Sequence, residues 1–243
     1  MRLKLRMSIW KSIRNNLPGY IVLLLLILLL MLSLQINFKE LFSVELSIDL
    51  LINDIVSSFL RVTLSALAAW LCGIFVGYLM YNFRSVFNLL IVAVNFIRHI
   101  SPFAWLPFAI IWFGLGEAPI SFILFITLFF PTLIAVMSTF AGIPREFLEE
   151  AQVLGASSFQ IFRRIQLPLT IGDMLNTLRI IWGLGWTTII AVEMLGVNNG
   201  LGFRLLDFRY LMNYSAMIVY IIIMGIIGVA VDFLLRKIIC SIS

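Results

Sequence analysis

The chain has 243 residues, of which 62% are hydrophobic and only 12% are charged. A soluble domain needs a much larger share of polar surface, so this composition predicts an all-α protein that crosses a membrane several times. The formal net charge of +5 does not indicate nucleic-acid binding, because the basic residues flank apolar runs, where they act as topology signals.

Motifs for catalysis and metal binding are missing from the sequence. It contains no GxxxxGK[ST] phosphate loop, no serine in a nucleophile elbow and no Cys/His cluster with metal-ligand spacing. The two cysteines, Cys72 and Cys240, lie in separate apolar segments, so we expect no structural disulfide. We therefore predict that the chain is not an enzyme, has no catalytic residue and binds no cofactor or metal.

The N-terminal part is predicted to contain one spanning helix. Five basic residues precede an uncharged window, residues 15–38, which is long enough to cross a bilayer and would be entered from the cytoplasm. The next stretch, residues 39–61, carries four acidic residues and is predicted to be an amphipathic helix at the outer interface. We divide the chain into an N-terminal segment, residues 1–52, and a five-helix core, residues 53–238.

The second and third spans are predicted to differ in regularity. In the second, residues 62–83, Gly73 and Gly77 have the spacing that lets helix backbones approach closely. The third falls in a run that is too long for one straight helix and is interrupted by Arg98, His99, Pro102 and Pro107. We expect a shallow segment near the cytoplasmic side, residues 86–97, followed by the span itself, residues 103–113. Such a break indicates a translocation path.

Three further spans complete a six-span prediction: residues 120–141, 172–196 and 214–233. Pro131 is expected to kink the fourth span, and a Gly/Asn-rich outer turn is expected after the fifth. With this topology, thirteen Lys/Arg residues fall on the cytoplasmic side and four outside. The asymmetry predicts that both termini lie in the cytoplasm.

A charged, helix-favouring segment, residues 144–168, lies between two of these spans. Pro144 suits the first position of a helix, and the acidic residues in the following turns favour its N-terminus. Gly155 then interrupts the helical pattern, and Ser157 and Ser158 are suited to cap a second short helix. The segment is therefore predicted to form a helix, a bend and another helix just outside the membrane.

The spacing in this segment resembles the cytoplasmic loop of the membrane subunits of bacterial ABC importers. That loop has the pattern Glu-Ala-Ala, three residues, Gly, nine residues, Ile, one residue, Leu-Pro. The matching positions here are Glu149, Glu150, Ala151, Gly155, Ile165, Leu167 and Pro168. Glu150 departs from the family, which usually has Ala at this position, and it adds a charge to the docking face.

The resemblance implies the type I ABC importer (MetI-like) permease fold, with residues 143–168 as a coupling loop containing the coupling helix. It also implies a second permease subunit, expected to be identical, two ATP-hydrolysing subunits and an extracytoplasmic substrate-binding protein. The expected location is the bacterial plasma (inner) membrane. The short helix is expected to insert into a groove on the ATPase through Phe147, Leu148, Ala151 and Leu154.

A second resemblance narrows the family. Residues 98–117 resemble the third span of permeases for nitrate, sulfonates, taurine and bicarbonate. The matching residues are Arg98, Pro102, Trp105, Pro107, Trp112, Phe113, Gly114, Gly116 and Glu117. Residues 192–196 and 200–202 fit the same pattern. This subfamily is also similar to permeases for thiamine and riboflavin precursors, which remain an alternative.

Polar and aromatic residues in the spans are candidates for the path: Arg98, Pro102, Trp105, Arg179, Trp186, Thr187 and Glu193. Glu193 either reaches the outer interface or takes part in gating, and Arg179 either snorkels to headgroups or lines the inner path. The tryptophans either pack in the bundle or contact cargo. Thr187 either bonds back to its own helix or faces a pore.

The cargo is predicted to be a small anion such as nitrate, bicarbonate or an alkanesulfonate. Arg98 and Arg179 are expected near the cytoplasmic ends of spans that flank the path, where two copies would make the inner mouth attractive to anions. Alternatively, both arginines only set topology, or they hold residues 144–168 through Asp173. The competing class of function is a membrane scaffold or receptor that does not transport.

Overall fold

A computed structural model describes residues 47–242, and every regular element within that range is helical. The predicted first span, residues 15–38, lies outside the described residues. The helices are α1 (Ile48–Asn82), α2 (Arg84–Arg98), α3 (Leu106–Phe113), α4 (Glu117–Ala141), α5 (Arg145–Val153), α6 (Ser158–Ile161), α7 (Leu167–Gly196), α8 (Leu201–Tyr210) and α9 (Tyr214–Ile242). A 3-10 turn, Pro102–Trp105, precedes α3, and a π-helical turn, Phe162–Gln166, joins α6 to α7.

Four stretches are long and apolar enough to cross a membrane: Ile48–Asn82, Glu117–Ala141, Ser158–Gly196 and Tyr214–Cys240. A fifth is formed by α2 together with Pro102–Phe113, which meet at a bend of 95°. The fold class, an all-α polytopic membrane protein, is thereby confirmed. We call the end of the bundle that carries residues 143–168 the inner end and the opposite end the outer end.

The spans begin and end at different residues from those predicted. Helix α1 already begins at Ile48, so the predicted interfacial helix over residues 39–61 is wrong in its described part, where Asp54 and Arg61 are buried. The fifth span begins before residue 172, because α7 starts at Leu167 and continues from α6 without a loop. The region predicted as an outer turn also contains helix α8.

The predicted close approach at Gly73 and Gly77 is confirmed, and it brings α1 against α4. A Cβ atom on Gly73 would lie 2.6 Å from Thr132 Cγ2, and one on Gly77 would lie 3.1 Å from the Leu133 carbonyl oxygen. Neither position has room for a side chain without separating the helices. Pro131 lies inside α4 and does not end it.

Helix α7 is tied to α1 along its length by tryptophan hydrogen bonds. The Trp70 indole N–H donates to the Met174 carbonyl over 2.8 Å, and the Trp182 indole N–H donates to Thr63 Oγ1 over 3.1 Å. A large core of buried aliphatic and aromatic side chains fills the space enclosed by α1, α4, α7 and α9. These four helices therefore form the packed frame that positions the sites described below.

Candidate functional site

The inner end carries residues 143–168, which we call the docking segment. It forms the predicted helix, bend and helix, although Pro144 caps α5 instead of starting it. At the bend, Gly155 has φ of +80°, and its N–H donates to the Gln152 carbonyl over 2.9 Å. This left-handed conformation costs a residue with a Cβ roughly 1–2 kcal/mol. The second helix begins at a capping box formed by Ser157 and Gln160.

The apolar face of the docking segment agrees in part with the predicted one, because Phe147 and Leu154 are exposed. Leu154 is 86% exposed and Val153 is 87% exposed, whereas Ala151 is buried. Leu148 packs against an inner core cluster around Phe140 and so does not point toward a partner. The exposed apolar side chains of the docking segment are therefore Phe147 and Phe159 together with the tip of α5, beside the glycine bend.

A surface hollow of about 370 Å³ brings together residues from both halves of the docking segment. Its lining is Phe147, Glu150, Ala151, Leu154, Arg164, Ile165, Pro168 and Leu169. Six of these match the importer loop pattern or were predicted to act with it, so the spacing in the sequence corresponds to one surface. Glu149 is exposed and Leu167 is half-buried, and both lie outside this hollow.

The broken span encloses a cavity of about 340 Å³ between the bend and α4. Residues 97–102 line one side, with Arg98, His99 and Pro102, and residues 126–134 of α4 line the other. Because Pro131 has no N–H, the Thr127 carbonyl lacks its usual helical donor. The cavity therefore combines an apolar wall with a guanidinium and an imidazole, beside a proline in α4.

The depth of this cavity follows from its position along α4. That helix has 25 residues, or roughly 37 Å at 1.5 Å per residue, and Thr127 and Pro131 flank its middle. Arg98, on the other wall of the cavity, therefore lies about halfway between the inner and outer ends. The expectation of a shallow segment near the cytoplasmic side is wrong for the C-terminal end of α2, which reaches the middle of the bundle.

Three other aromatic or hydroxyl residues were candidates for the path: Trp186, Thr187 and Trp105. Trp186 is buried, stacks on Trp182 with ring centroids 5.4 Å apart, and donates to the Met224 carbonyl, so it is a packing residue. The Thr187 hydroxyl donates back to the Leu184 carbonyl. The indole N–H of Trp105, within the broken span, is buried and has no hydrogen-bond partner among the described residues.

Arg179 forms an ion pair that the sequence did not indicate. Its guanidinium donates twice to Asp232 of α9, over 2.6 and 2.9 Å. The alternative in which Arg179 holds the docking segment through Asp173 does not apply, because the partner of Arg179 is Asp232. Because Asp232 compensates the charge, Arg179 is a weaker candidate than Arg98 for attracting an anion. Among residues 47–242, no carboxylate lies within 4 Å of Arg98.

A buried polar cluster closes the outer end. Arg61 of α1 donates to Glu193 of α7 over 2.6 Å and forms two hydrogen bonds with Glu117 of α4. Glu193 is fully buried and also accepts from the Ser58 hydroxyl and the Gly202 N–H. The expectation that Glu193 reaches the membrane interface is wrong, because α8 covers it.

A second ion pair extends this cluster toward α9. Asp54 is fully buried and accepts from Arg204 over 3.0 Å, from the Gly200 N–H and from the Tyr220 hydroxyl. Burial lowers the pKa of Arg204, but the hydrogen bond and charge of Asp54 outweigh it and leave that pKa above its ordinary value. Arg61 also donates to the Asn199 carbonyl over 3.1 Å. We call the whole set the outer ion cluster: Asp54, Ser58, Arg61, Glu117, Glu193, Asn199, Arg204 and Tyr220.

The sequence contained a signal for part of this cluster. Asp54, Ser58 and Arg61 have i, i+4, i+7 spacing, which places them on one face of a helix. In an apolar span such a polar face must meet protein or water. Their partners are 56 to 166 residues away in the chain, and no local pattern identifies them.

Solved structures share this fold. The membrane chain of the MetNI methionine ABC transporter, in inward-facing conformations, matches with a TM-score of 0.72 at 19% identity, over 81% of this chain and 97% of that one. A bacterial ABC transporter involved in alginate import matches with a TM-score of 0.71 at 15% identity, over 97% and 99%. The chain thus shares its fold with these ABC transporter chains.

The chain belongs to the family described as the binding-protein-dependent transport system inner membrane component, which matches residues 69–239. A Methanocaldococcus jannaschii protein named as an ABC transporter permease is 36% identical over 77% of this chain and 71% of its own length. The taurine transport system permease TauC of Escherichia coli is 30% identical over 76% and 68%. The nitrate import permease NrtB of Leptolyngbya laminosa is 31% identical over 76% and 66%.

Proposed function

We propose that this chain forms the translocation path of an importer for a small anion and couples to a separate ATPase through residues 144–168. The observation that carries the anion assignment is the exposed Arg98 beside a cavity halfway along α4, with no ion-pair partner among residues 47–242. Relatives named for taurine and nitrate transport support the same class of cargo. A thiamine or riboflavin precursor remains the alternative cargo.

The working assembly in this proposal contains two copies of this chain, two ATPase subunits and an extracytoplasmic binding protein. Both termini and the docking segment would face the cytoplasm. The exposed tip of α5, with Val153 and Leu154, is the apolar surface that an ATPase groove would cover. In proteoliposomes, ATP-dependent solute flux is expected, whereas a scaffold or receptor would show none.

The coupling role is tested at Gly155 because its conformation restricts which residues can replace it. Gly155→Val should strain the bend, since a β-branched residue is disfavoured at φ of +80°. We expect normal insertion but loss of ATPase stimulation and uptake. Gly155→Asn should retain most activity, because Asn tolerates this conformation. The control is Gly142→Ala, at φ of −75°, which should behave as wild type. Full coupling in Gly155→Val would contradict the assignment.

The anion assignment is tested at Arg98. Arg98→Lys keeps the charge and Arg98→Gln removes it, and both should insert because the side chain is exposed. Nitrate, bicarbonate and taurine uptake would be measured in assemblies with normal ATPase activity. Only Arg98→Gln should slow uptake, by about fivefold to tenfold for the loss of one nearby charge. Equal rates in the two variants would leave Arg98 as a structural residue, and accumulation of an uncharged vitamin precursor would refute the anion.

A further inference from the structure

Helix α2 has a narrow polar face that neither packing nor the docking segment uses. Arg84, Asn88, Asn95 and Arg98 are separated by four, seven and three residues, so they share one side of the helix, with Ile91 between them. All four are exposed. Apart from Ser85, the other residues of α2 are apolar. The polar face extends roughly 21 Å, at 1.5 Å per residue, from the first residue of α2 to its last.

The remaining circumference of α2 is divided between two different surroundings. One side packs on the bundle, where Val94 is buried in a cluster with Met80 and Leu133. Another side is apolar but uncovered, with Val92 at 72% and Phe96 at 70% exposure. The uncovered apolar side is suited to lipid. The polar face is separate from it and lies between it and the packed side.

The polar face cannot be directed toward lipid along its whole length. Its inner end follows α1 directly, because Arg84 is two residues after the last residue of that helix, Asn82. Its other end is Arg98, at the cavity beside the middle of α4. An arginine and an asparagine at that depth are costly in hydrocarbon and require water or protein around them.

We propose that this face of α2 is the wall of the inner half of the path and a series of weak anion-binding positions. This inference rests on the proposed importer function. Arg98 would receive the anion at the cavity, Asn95 and Asn88 would offer amide N–H donors, and Arg84 would hold it before release. No carboxylate lies within 4 Å of either arginine among the residues that the structure describes.

The chemistry suits passage better than tight binding. Neutral amides donate hydrogen bonds to any small oxyanion without adding charge, and the two arginines lie at opposite ends of the face. Binding in a path must be strong enough for entry and weak enough for release. Several modest positions along one helix meet this requirement, and the substrate-binding protein would then supply the selectivity.

The test uses single cysteines in the complete transporter. In a Cys72→Ser, Cys240→Ser background, Asn95→Cys is compared with Val92→Cys, a control on the uncovered apolar side of the same helix. The assembly with its ATPase is placed in lipid nanodiscs, which leave both faces accessible. The probes are an anionic sulfonatoethyl and a cationic trimethylammonioethyl methanethiosulfonate, which react with thiols that water reaches.

We expect the anionic probe to modify Asn95→Cys at least about fivefold faster than the cationic probe, because Arg98 attracts it. Adding Arg98→Gln should bring the ratio of the two rates close to one. Val92→Cys should react slowly with both probes. In proteoliposomes, modification at Asn95→Cys should block uptake, and exposure of Val92→Cys to the same reagent should leave uptake unchanged.

Three results would overturn the proposal. The first is no preference for the anionic probe at Asn95→Cys. The second is a disulfide between Asn95→Cys residues of two copies, which would make the face a subunit contact. The third is modification that slows when acidic lipid is added but leaves uptake intact, as expected for a headgroup site. Blocked uptake of an uncharged solute would refute the anion cargo while retaining α2 as the wall.

Discussion

Replacing Arg61 by methionine is expected to be the most destabilising change in the outer ion cluster. Met matches the length of the aliphatic part of the side chain but removes the donors to both Glu193 and Glu117. Glu193 is fully buried and would keep only the Ser58 hydroxyl and the Gly202 N–H. Leaving one partner of a buried ion pair uncompensated costs about 3–5 kcal/mol.

Glu193→Gln is expected to cost less, because Arg61 would still have Glu117, which is partly exposed to water. Loss of one buried hydrogen bond to a charged group lowers the free energy of unfolding by about 1.5–3 kcal/mol. The double variant Arg61→Met, Glu193→Gln should be more stable than Arg61→Met alone, since no buried carboxylate is then left without its arginine. This order of stabilities, and not an absolute value, is the prediction.

The assay is the melting temperature of the purified protein in one detergent, followed by tryptophan fluorescence. Arg209→Met is the matched control, because Arg209 is exposed on α8 and lies outside the outer ion cluster. The control should have the same melting temperature as the wild type. The prediction is refuted if Arg61→Met has the same melting temperature as the control, or if the double variant is less stable than Arg61→Met.

Two further changes test local features of the fold. Gly202→Ala should lower stability by about 2–3 kcal/mol, because the added Cβ would lie 2.2 Å from the Ile190 carbonyl oxygen. The control Gly225→Ala should not lower stability, because no atom lies within 4 Å of its new Cβ. Equal melting temperatures of the two variants would disprove this prediction. Ser157→Ala should remove about 1 kcal/mol of capping at the start of α6 and speed amide hydrogen exchange at Gln160; unchanged exchange would show that the cap does not hold this turn.

The sequence predicted what depends on neighbours along the chain. Apolar windows predicted the spans, and Gly73 and Gly77 predicted the close contact of two helices. The spacing around Gly155 predicted the helix, bend and helix of the docking segment. Helix ends were less predictable. The predicted fifth span starts too late, at residue 172, because the residues before it are more polar than the span, although α7 begins at Leu167.

The pairing of buried charges was beyond sequence reasoning. Arg61 was counted as a topology signal, yet Glu117 and Glu193, distant in the chain, hold it inside the bundle. A charge neutralised by such partners tells little about which side of the membrane it lies on. Arg179 illustrates the same limit, because its partner Asp232 lies 53 residues away.

The continuous stretch Ser158–Gly196 has a mechanical consequence. At 39 residues it is a rod roughly 58 Å long, interrupted by a π-helical turn near its inner end, and it carries Glu193 close to the other end. Hydrogen bonds from Trp70, Trp182 and Arg61 join it to α1 at three heights. We expect these bonds to make the two helices tilt together above the π-helical turn, so a displacement of the inner end of α7 would move the loop before α8 at the outer end.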